Sequence, residues 1–266
     1  MRKKFGILLL LLAILAVMLF LRREEKPEVA DVEKPLPQEQ MNTAQGALSV
    51  HVARALGEVN ENPEGEGVVI TLAREDGTAE TLLFEDVAMD AWYLEAVDYA
   101  ASVGLMRNVA TSSGRSLFYP DHGVTRAQFA TILYRFCGGS EVEPVREYED
   151  VPDFEWYYDM IHWVDRQKLL DRVDDTVFGA EEYLSCEEVL TALHRVAGEP
   201  ESMASLEDYP YALKVSPSGM NAVRWAWGVG LIAEDECIWY PTQAISRAQL
   251  ALLLMRYDEF SAAAEK

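Results

Sequence analysis

A heptad that recurs at a regular spacing is the feature that most limits how this chain can fold. Residues 124–130 read Val-Thr-Arg-Ala-Gln-Phe-Ala, and residues 245–251 read Ile-Ser-Arg-Ala-Gln-Leu-Ala. A weaker copy, Leu-Ser-Cys-Glu-Glu-Val-Leu, lies between them at residues 184–190, so that the copies stand about 60 residues apart. An internal repeat of this kind predicts one structural unit that is used three times.

Each copy of the heptad has the pattern of a helix start. A Thr or Ser is followed three residues later by Gln or Glu, so that the hydroxyl can accept from a backbone N–H of the first turn while the longer side chain reaches back to the cap residue. This capping box predicts that Thr125, Ser185 and Ser246 each begin a helix. It does not account for Arg126 and Arg247, which stand at the first helical position.

The sequence before each heptad repeats as well. Residues 84–87 read Phe-Glu-Asp-Val and residues 148–151 read Tyr-Glu-Asp-Val, and each run is followed by a tryptophan, Trp92 or Trp156. In the third unit Ser218 stands where the tryptophan is expected. The third copy therefore departs from the repeat pattern at its start.

The first 83 residues are of a different kind. An apolar run at residues 5–21, flanked by basic residues, predicts a signal anchor with the remainder of the chain outside the cell, and cleavage of the run as a signal peptide is the alternative. Residues 24–46 are rich in Pro, Glu and Gln, which is typical of a flexible linker. Residues 47–83 alternate apolar and polar side chains around Gly-containing turns, which predicts two or three β-strands.

Composition excludes several classes of function. The formal net charge of −22 argues against nucleic-acid binding, because such proteins present a basic surface. The three cysteines and four histidines are scattered without the spacing of a disulfide framework or a metal site. We therefore expect no metal and no cofactor.

The repeated unit resembles the S-layer homology (SLH) domain, and the resemblance covers about two thirds of the chain. In the first unit it is carried by an Asp-Val opening, a Trp, a Gly at a helix end, an aromatic-x-Pro element and the capped helix start. These residues are Phe84, Asp86, Val87, Trp92, Gly104, Phe118, Pro120, Thr125, Arg126, Ala127 and Gln128.

The resemblance implies a mainly α fold, in which three helix–loop–helix repeats form a pseudo-threefold bundle with grooves between neighbours. Together with the patterns above it predicts a transmembrane or signal-anchor helix, a disordered linker and a small β segment before three tandem repeats. The predicted boundaries are 1–23 for the anchor, 24–46 for the linker, 47–83 for the β segment, and 84–139, 148–198 and 206–260 for the SLH repeats.

The resemblance also implies a function. It predicts a non-catalytic cell-envelope protein that binds a cell-wall glycan, an anionic or pyruvylated secondary wall polymer, and links membrane and wall. The implied location is the cell membrane, single-pass with the C-terminal domain outside and associated with the wall, or secretion after cleavage. The predicted ligand-binding residues are Arg126, Arg247, Thr125, Ser246, Gln128, Gln249, Trp92 and Asp86.

Physical chemistry agrees with an arginine contact to an anion. A helix N-terminus offers unpaired N–H groups and partial positive charge, and an Arg there adds a donor fork that can hold a carboxylate at two points. Arg126 and Arg247 fit this description. In the second copy Cys186 replaces the Arg, and Glu187 and Glu188 add negative charge, so we predict at most two anion sites.

Each singled-out residue type also has a structural interpretation. Trp92 and Trp156 are expected in the core, with sugar contact as the alternative. Asp86 is expected to orient the turn before the first helix, with ligand contact as the alternative. Arg126 and Arg247 are candidates either for the polymer contact or for surface ion pairs.

Two other functions remain open at this stage. Worn repeats are also consistent with an envelope module that binds another protein, since the second copy lacks its Arg and the third its Trp. A wall-modifying enzyme is the weakest hypothesis, because the sequence outside the anchor, the linker and the repeats is too short for a catalytic domain.

Overall fold

The computed structural model of the protein describes residues 57–73, 77–234 and 237–264. The predicted anchor at residues 1–23, the predicted linker at residues 24–46 and the start of the predicted β segment lie outside the described residues. Among the helices of the described residues, none combines the length and apolar character that crossing a bilayer requires.

A three-stranded antiparallel sheet, in the order β1-β2-β3, opens the described part of the chain. Its strands are β1 Glu58–Glu61, β2 Val68–Ala73 and β3 Ala79–Phe84. In β2 the alternate residues Val68, Ile70 and Leu72 are buried, as a period of two predicts for a strand with one face on the core. The strands predicted from alternation are confirmed at Val68–Ala73 and Ala79–Phe84, whereas residues 47–56 of the predicted segment lie outside the described residues.

Six α-helices occur in the described residues, and they follow one another as three pairs. They are α1 Leu94–Ser102, α2 Arg126–Phe136, α3 Tyr158–Arg166, α4 Cys186–Val196, α5 Met220–Gly228 and α6 Arg247–Ala264. The connections contain a hairpin of β4 Val109–Ala110 with β5 Ser116–Leu117, and a 3-10 turn at Ala212–Lys214.

The helices pack in a closed ring. The second helix of each pair lies against the first helix of the next pair, so that α2 packs on α3, α4 on α5 and α6 on α1. Large aromatic side chains fill the interior of this ring. Those that are fully buried include Phe84, Tyr99, Phe118, Phe129, Phe136, Phe178, Trp225 and Trp239.

The sheet is joined to the ring through α1. The Gly57 N–H and the Ser102 hydroxyl both donate to Asp98 Oδ1, at 3.1 and 3.0 Å. Burial raises the pKa of the Asp98 carboxyl, and these two hydrogen bonds partly oppose that shift. The buried Asp98 side chain therefore ties the residue before β1 to α1.

The predicted helix starts are confirmed at all three heptads. Thr125, Ser185 and Ser246 immediately precede α2, α4 and α6. The Thr125 hydroxyl accepts from the Gln128 N–H at 3.3 Å, and the Ser246 hydroxyl accepts from the Gln249 N–H at 3.2 Å. The capping box is therefore the local reason that each second helix begins where it does.

The first helix of each pair ends at a residue in the left-handed conformation. Gly104 has φ 73° after α1, Lys168 has φ 57° after α3, and Gly230 has φ 79° after α5. A left-handed residue stops a helix because the chain turns away while the last carbonyls are still satisfied. The helix end predicted at Gly104 is confirmed.

The predicted fold class is wrong. The described residues are about 34% helix and 13% strand, so they do not form the mainly α bundle that was predicted. No helix among them could span a membrane, and the predicted anchor lies outside them. The physical reason is that five of the six helices are only 9 to 11 residues long and are separated by long connections. The long connections between the paired helices are extended, and they form strands and isolated bridges between pairs instead.

Candidate functional site

The N–H groups at the start of each second helix already have partners. The first two donate to carbonyls of a loop from another helix pair, at 2.8 to 2.9 Å in every case: Arg126 to Glu182, Ala127 to Ala180, Cys186 to Gln243, Glu187 to Pro241, Arg247 to His122 and Ala248 to Pro120. The next N–H of α2 and α6 bonds to the cap hydroxyl. The expectation that unpaired N–H groups here bind an anion is therefore wrong.

Arg126 is enclosed by the second pair. Its Nε donates to the Phe178 carbonyl at 2.9 Å, its Nη2 donates to the Asp171 carbonyl, and its Nη1 lies 3.1 Å from Glu188 Oε1. The guanidinium also stacks 5.0 Å from the centroid of the Phe178 ring, and the residue is only 4% exposed. Its charge is therefore neutralised by Glu188 within the fold.

Arg247 occupies the same position in the third pair but has different partners. Its Nε donates to the Phe118 carbonyl at 2.6 Å and its Nη2 donates to the Arg107 carbonyl at 3.1 Å. Its guanidinium lies 4.8 Å from the centroid of the Phe118 ring. Both hydrogen-bond partners are neutral, and no described carboxylate oxygen lies within 4.0 Å of this guanidinium.

The charged group that acts most directly on Arg247 is a carboxylate, Asp86. Burial lowers the pKa of Arg247 to about 10, opposed by the nearby Asp86 carboxylate, so the side chain stays cationic at neutral pH. Arg107, whose carbonyl Arg247 contacts, pairs with Glu80 at 2.5 Å. Burial, and the charge of Arg107, lower the pKa of Arg135, so a further arginine lies near Arg107.

A cavity of about 100 Å³ beside Arg126 is lined by more carboxylates than cations. Two arginines line it, Arg126 and Arg195, and so do three carboxylates, Asp171, Glu187 and Glu188. Arg195 is paired with Asp171 at 2.9 Å, as Arg126 is with Glu188. An anionic ligand meets no unpaired cation there, so this cavity is poorly suited to one.

At the third junction between helix pairs, the helix start carries no arginine. Cys186, at the position of Arg126 and Arg247, is buried and not in a disulfide. The carbonyl of Trp239, which corresponds to the carbonyls of Phe118 and Phe178, instead accepts from the Tyr209 hydroxyl. The prediction of at most two anion sites is not contradicted, because the third position holds no cation.

The predicted capping and carboxylate residues are engaged within the fold. Thr125, Gln128, Ser246 and Gln249 form the reciprocal bonds of their capping boxes, with Thr125 N–H donating to Gln128 Oε1 at 3.1 Å and Ser246 N–H donating to Gln249 Oε1 at 2.8 Å. Asp86 accepts from two backbone N–H groups of the loop before α2, both at 2.7 Å. It therefore orients the loop after α1, rather than the turn before it.

The two tryptophans lie at the surface. Trp92 is 39% exposed and Trp156 is 37% exposed, so their predicted place in the core is wrong. Each packs edge to face on the tyrosine that follows it, with ring centroids 5.2 Å apart in both cases. The neighbouring tyrosine therefore covers part of each indole, and a substantial part remains exposed.

Three residues of this region escaped the sequence reasoning. The Arg107 carbonyl contacts Arg247, Arg135 lies near Arg107, and Tyr209 substitutes for the missing arginine. A signal for one of them was present, because an Arg recurs at the tenth position of the second helix in all three units, as Arg135, Arg195 and Arg256. No pattern indicated Arg107 or Tyr209.

Metal chemistry has no support in the described part of the chain. No group of three or more His, Cys, Asp or Glu side chains there is arranged to hold an ion. In the described residues the helix starts interlock, and of their two arginines Arg126 forms an ion pair whereas Arg247 forms none.

Comparison with known proteins gives a family for part of the chain. The search of curated proteins found no match. S-layer homology domains are cell-wall binding modules and are not catalytic. The family model of the S-layer homology domain matches residues 83–130, so this segment, which holds the first helix pair up to the middle of α2, is similar to that cell-wall binding module.

Proposed function

We propose that this protein is a non-catalytic cell-surface protein that binds an anionic cell-wall polymer at the junction around Arg247. The observation that carries the proposal is the difference between the partners of the two heptad arginines. Arg126 is neutralised by Glu188, whereas Arg247 donates to neutral carbonyls and forms no ion pair with a described carboxylate, Asp86 being its nearby charge. An arginine held in place without an ion pair is suited to bind a carboxylate, because charge-assisted bonds are about twice as strong as neutral ones.

The proposal includes three SLH repeats, at residues 84–139, 148–198 and 206–260. It is supported by the three capped helix starts and by the backbone bonds that join each start to another unit. The family model matches only the first of these segments, which is consistent with divergence of the other two. The second and third units differ from it where Cys186 and Ser218 stand.

The predicted site residues take different roles in this proposal. Arg247 is the contact to the anionic group, and the exposed face of Trp92 is offered to a sugar ring. Asp86 and the capping residues act by positioning. They hold the loops and helix starts on which the contacts are mounted, and these are Thr125, Gln128, Ser246 and Gln249.

A wall-binding assay with single arginine variants tests the site. The full-length protein, with Arg247→Gln, is incubated with purified wall, and the bound fraction is measured against wall concentration. We expect at least a tenfold loss of affinity, because a hydrogen bond between charged groups contributes roughly 1.5–3 kcal/mol. Arg172→Gln is the matched control, since Arg172 pairs with Asp175 at the surface and should leave binding unchanged.

The ligand chemistry is tested on the wall rather than on the protein. Removing ketal-linked pyruvate from the polymer should reduce binding of the parent protein to the level of Arg247→Gln, with no further loss in the variant. Equal binding of Arg247→Gln and the parent to intact wall would show that the arginine is not the contact. Thermal unfolding of both variants separates a loss of binding from a loss of folding.

A second candidate function is an envelope module that binds another protein. The observation that favours it is the exposure of large apolar side chains, among them Phe154, Met203 and Leu213. Co-purification of a defined protein partner that wall polymer does not displace would support this function over the first.

A further inference from the structure

The third helix pair carries an aromatic cleft of about 200 Å³. Six side chains that matter to the argument line it: Tyr209, Tyr211, Trp227, Glu234, Ile238 and Trp239. None of them belongs to the junction around Arg247. The cleft is therefore a separate feature of the molecule.

The aromatic wall is particular to this unit. Trp227 is the eighth residue of α5, and the eighth residues of α1 and α3 are Ala101 and Asp165. Tyr209 stands where the two earlier units have a valine, Val87 or Val151. The large rings are thus not required by the repeated packing, because the other units are built without them.

The rings meet at steep angles and form a corner. Tyr209 and Trp227 have centroids 5.3 Å apart with an interplanar angle of 49°, and Tyr209 and Tyr211 have centroids 6.0 Å apart at 82°. The position of the Tyr209 ring is fixed by its hydroxyl, which donates to the Trp239 carbonyl. Two ring faces that meet at an angle can both contact a compact group, whereas a flat group stacks on only one of them.

The charge around the corner is negative. Glu234 is exposed at the rim, and no Lys or Arg lines the cleft. Arg256 lies over the Trp239 ring, 5.8 Å from its centroid. One face of Trp239 is therefore already occupied by a cation, and Trp239 serves only to line the cleft. Tyr211 and Trp227 are partly exposed and offer the ring faces that remain.

We propose that this cleft binds a compact alkylammonium group, primary or quaternary, between Tyr211 and Trp227 with Glu234 as its counter-ion. Ring faces carry the negative part of the aromatic quadrupole and attract cations, and a nearby carboxylate adds to the attraction. The ammonium is carried either by a free small molecule or by an amine substituent of a polymer. The proposal does not depend on the anion site at Arg247.

Titration with choline tests the proposal on the full-length protein. Binding is followed by calorimetry, with the uncharged isostere of choline, in which carbon replaces the quaternary nitrogen, as the matched ligand. We expect saturable binding of choline in the millimolar range and at least tenfold weaker binding of the isostere, because only the charge differs. An amine-bearing wall polymer, compared with the same polymer after acetylation of its amines, distinguishes the polymer source from the free ligand.

Two variants and a control locate the site. Trp227→Leu and Glu234→Gln should each weaken choline binding by several-fold or more, while Trp156→Leu, which removes an exposed indole elsewhere, should not change it. Glu234 lies at the surface, so its variant keeps the test valid where Trp227→Leu does not fold.

Three outcomes would overturn the proposal. Equal binding of choline and the isostere would identify an apolar cleft without cation selectivity. Binding of a methyl glycoside of N-acetylglucosamine without binding of choline would identify a sugar site. Unchanged choline affinity in Glu234→Gln and Trp227→Leu would place the ammonium elsewhere.

Discussion

One carbonyl at each junction between units receives a side-chain donor from another part of the chain. The Phe178 carbonyl accepts from Arg126 and the Phe118 carbonyl from Arg247, whereas the Trp239 carbonyl accepts from Tyr209. A buried carbonyl without a partner is costly, so the loss of an arginine must be offset by another donor. Tyr209 fulfils this requirement where Cys186 replaces the arginine.

Tyr209→Phe tests this substitution of donors. The variant keeps the ring but leaves the buried Trp239 carbonyl unsatisfied, and we expect a loss of about 1–3 kcal/mol in the free energy of unfolding. Urea denaturation followed by circular dichroism measures the loss. Tyr211→Phe, a partly exposed neighbour, is the control, and an equal loss in both variants would contradict the role of Tyr209.

The start of α4 combines two tasks in one side chain. Glu188 accepts from the Ser185 N–H at 2.8 Å with Oε2, and its Oε1 lies 3.1 Å from Arg126. The corresponding caps of α2 and α6 use glutamine, which can close the capping box but cannot neutralise an arginine. The choice between Gln and Glu at one cap therefore decides whether the neighbouring arginine keeps a free charge.

Glu188→Gln should separate the two tasks. The capping box is retained, and only the ion pair is lost; since Glu188 is half exposed, we expect a destabilisation of no more than about 1 kcal/mol. Arg126 then lacks its counter-ion, so the affinity for an anionic wall polymer should rise. Wall binding in an Arg247→Gln background measures this gain, and an unchanged affinity there would show that Arg126 is closed to ligands for another reason.

Local sequence patterns predicted local structure correctly and long-range structure poorly. Thr125 and Ser246 were identified as caps because the capping box is complete within four residues. The partners of Arg126 were not predictable, because Phe178 and Glu188 come from a distant part of the chain. The burial of Trp92 was misjudged for the same reason, since no local pattern reports which neighbours cover a side chain.

At the scale of the whole molecule, we expect acid to lower the folding stability through a buried histidine. His162 on α3 is fully buried, and neither of its ring nitrogens has a hydrogen-bond partner in the described residues. Burial lowers the pKa of His162, although the carboxylates of Glu147, Asp165 and Asp159 oppose the shift. The rings of Tyr148 and Tyr158 lie against it, with centroids 6.0 and 4.4 Å away.

The direction of the pH effect follows from this lowered pKa. Above the unfolded value of about 6.5 the imidazole is neutral in both states, so its contribution to stability is complete. As the pH falls below that value the unfolded chain takes up the proton first, and the folded state loses stability until its own lower pKa is reached.

His162→Phe should therefore reduce the loss of stability between pH 7 and pH 5. Urea unfolding of the variant and the parent at both pH values measures the difference, and His122→Gln, an exposed histidine, is the control. An identical loss in His162→Phe and the parent would assign the acid sensitivity to the carboxylates instead.

The packing of α6 on α1 has a consequence for synthesis of the protein. The face of Leu94–Ser102 that is buried in the finished ring is covered by Arg247–Ala264, which leaves the ribosome roughly 10 s later at ordinary rates of translation. During this interval the part of α1 that α6 covers lacks its final neighbour. The nascent chain is thus a natural client for chaperones that hold exposed apolar helices, and release from them is expected to wait for the last helix.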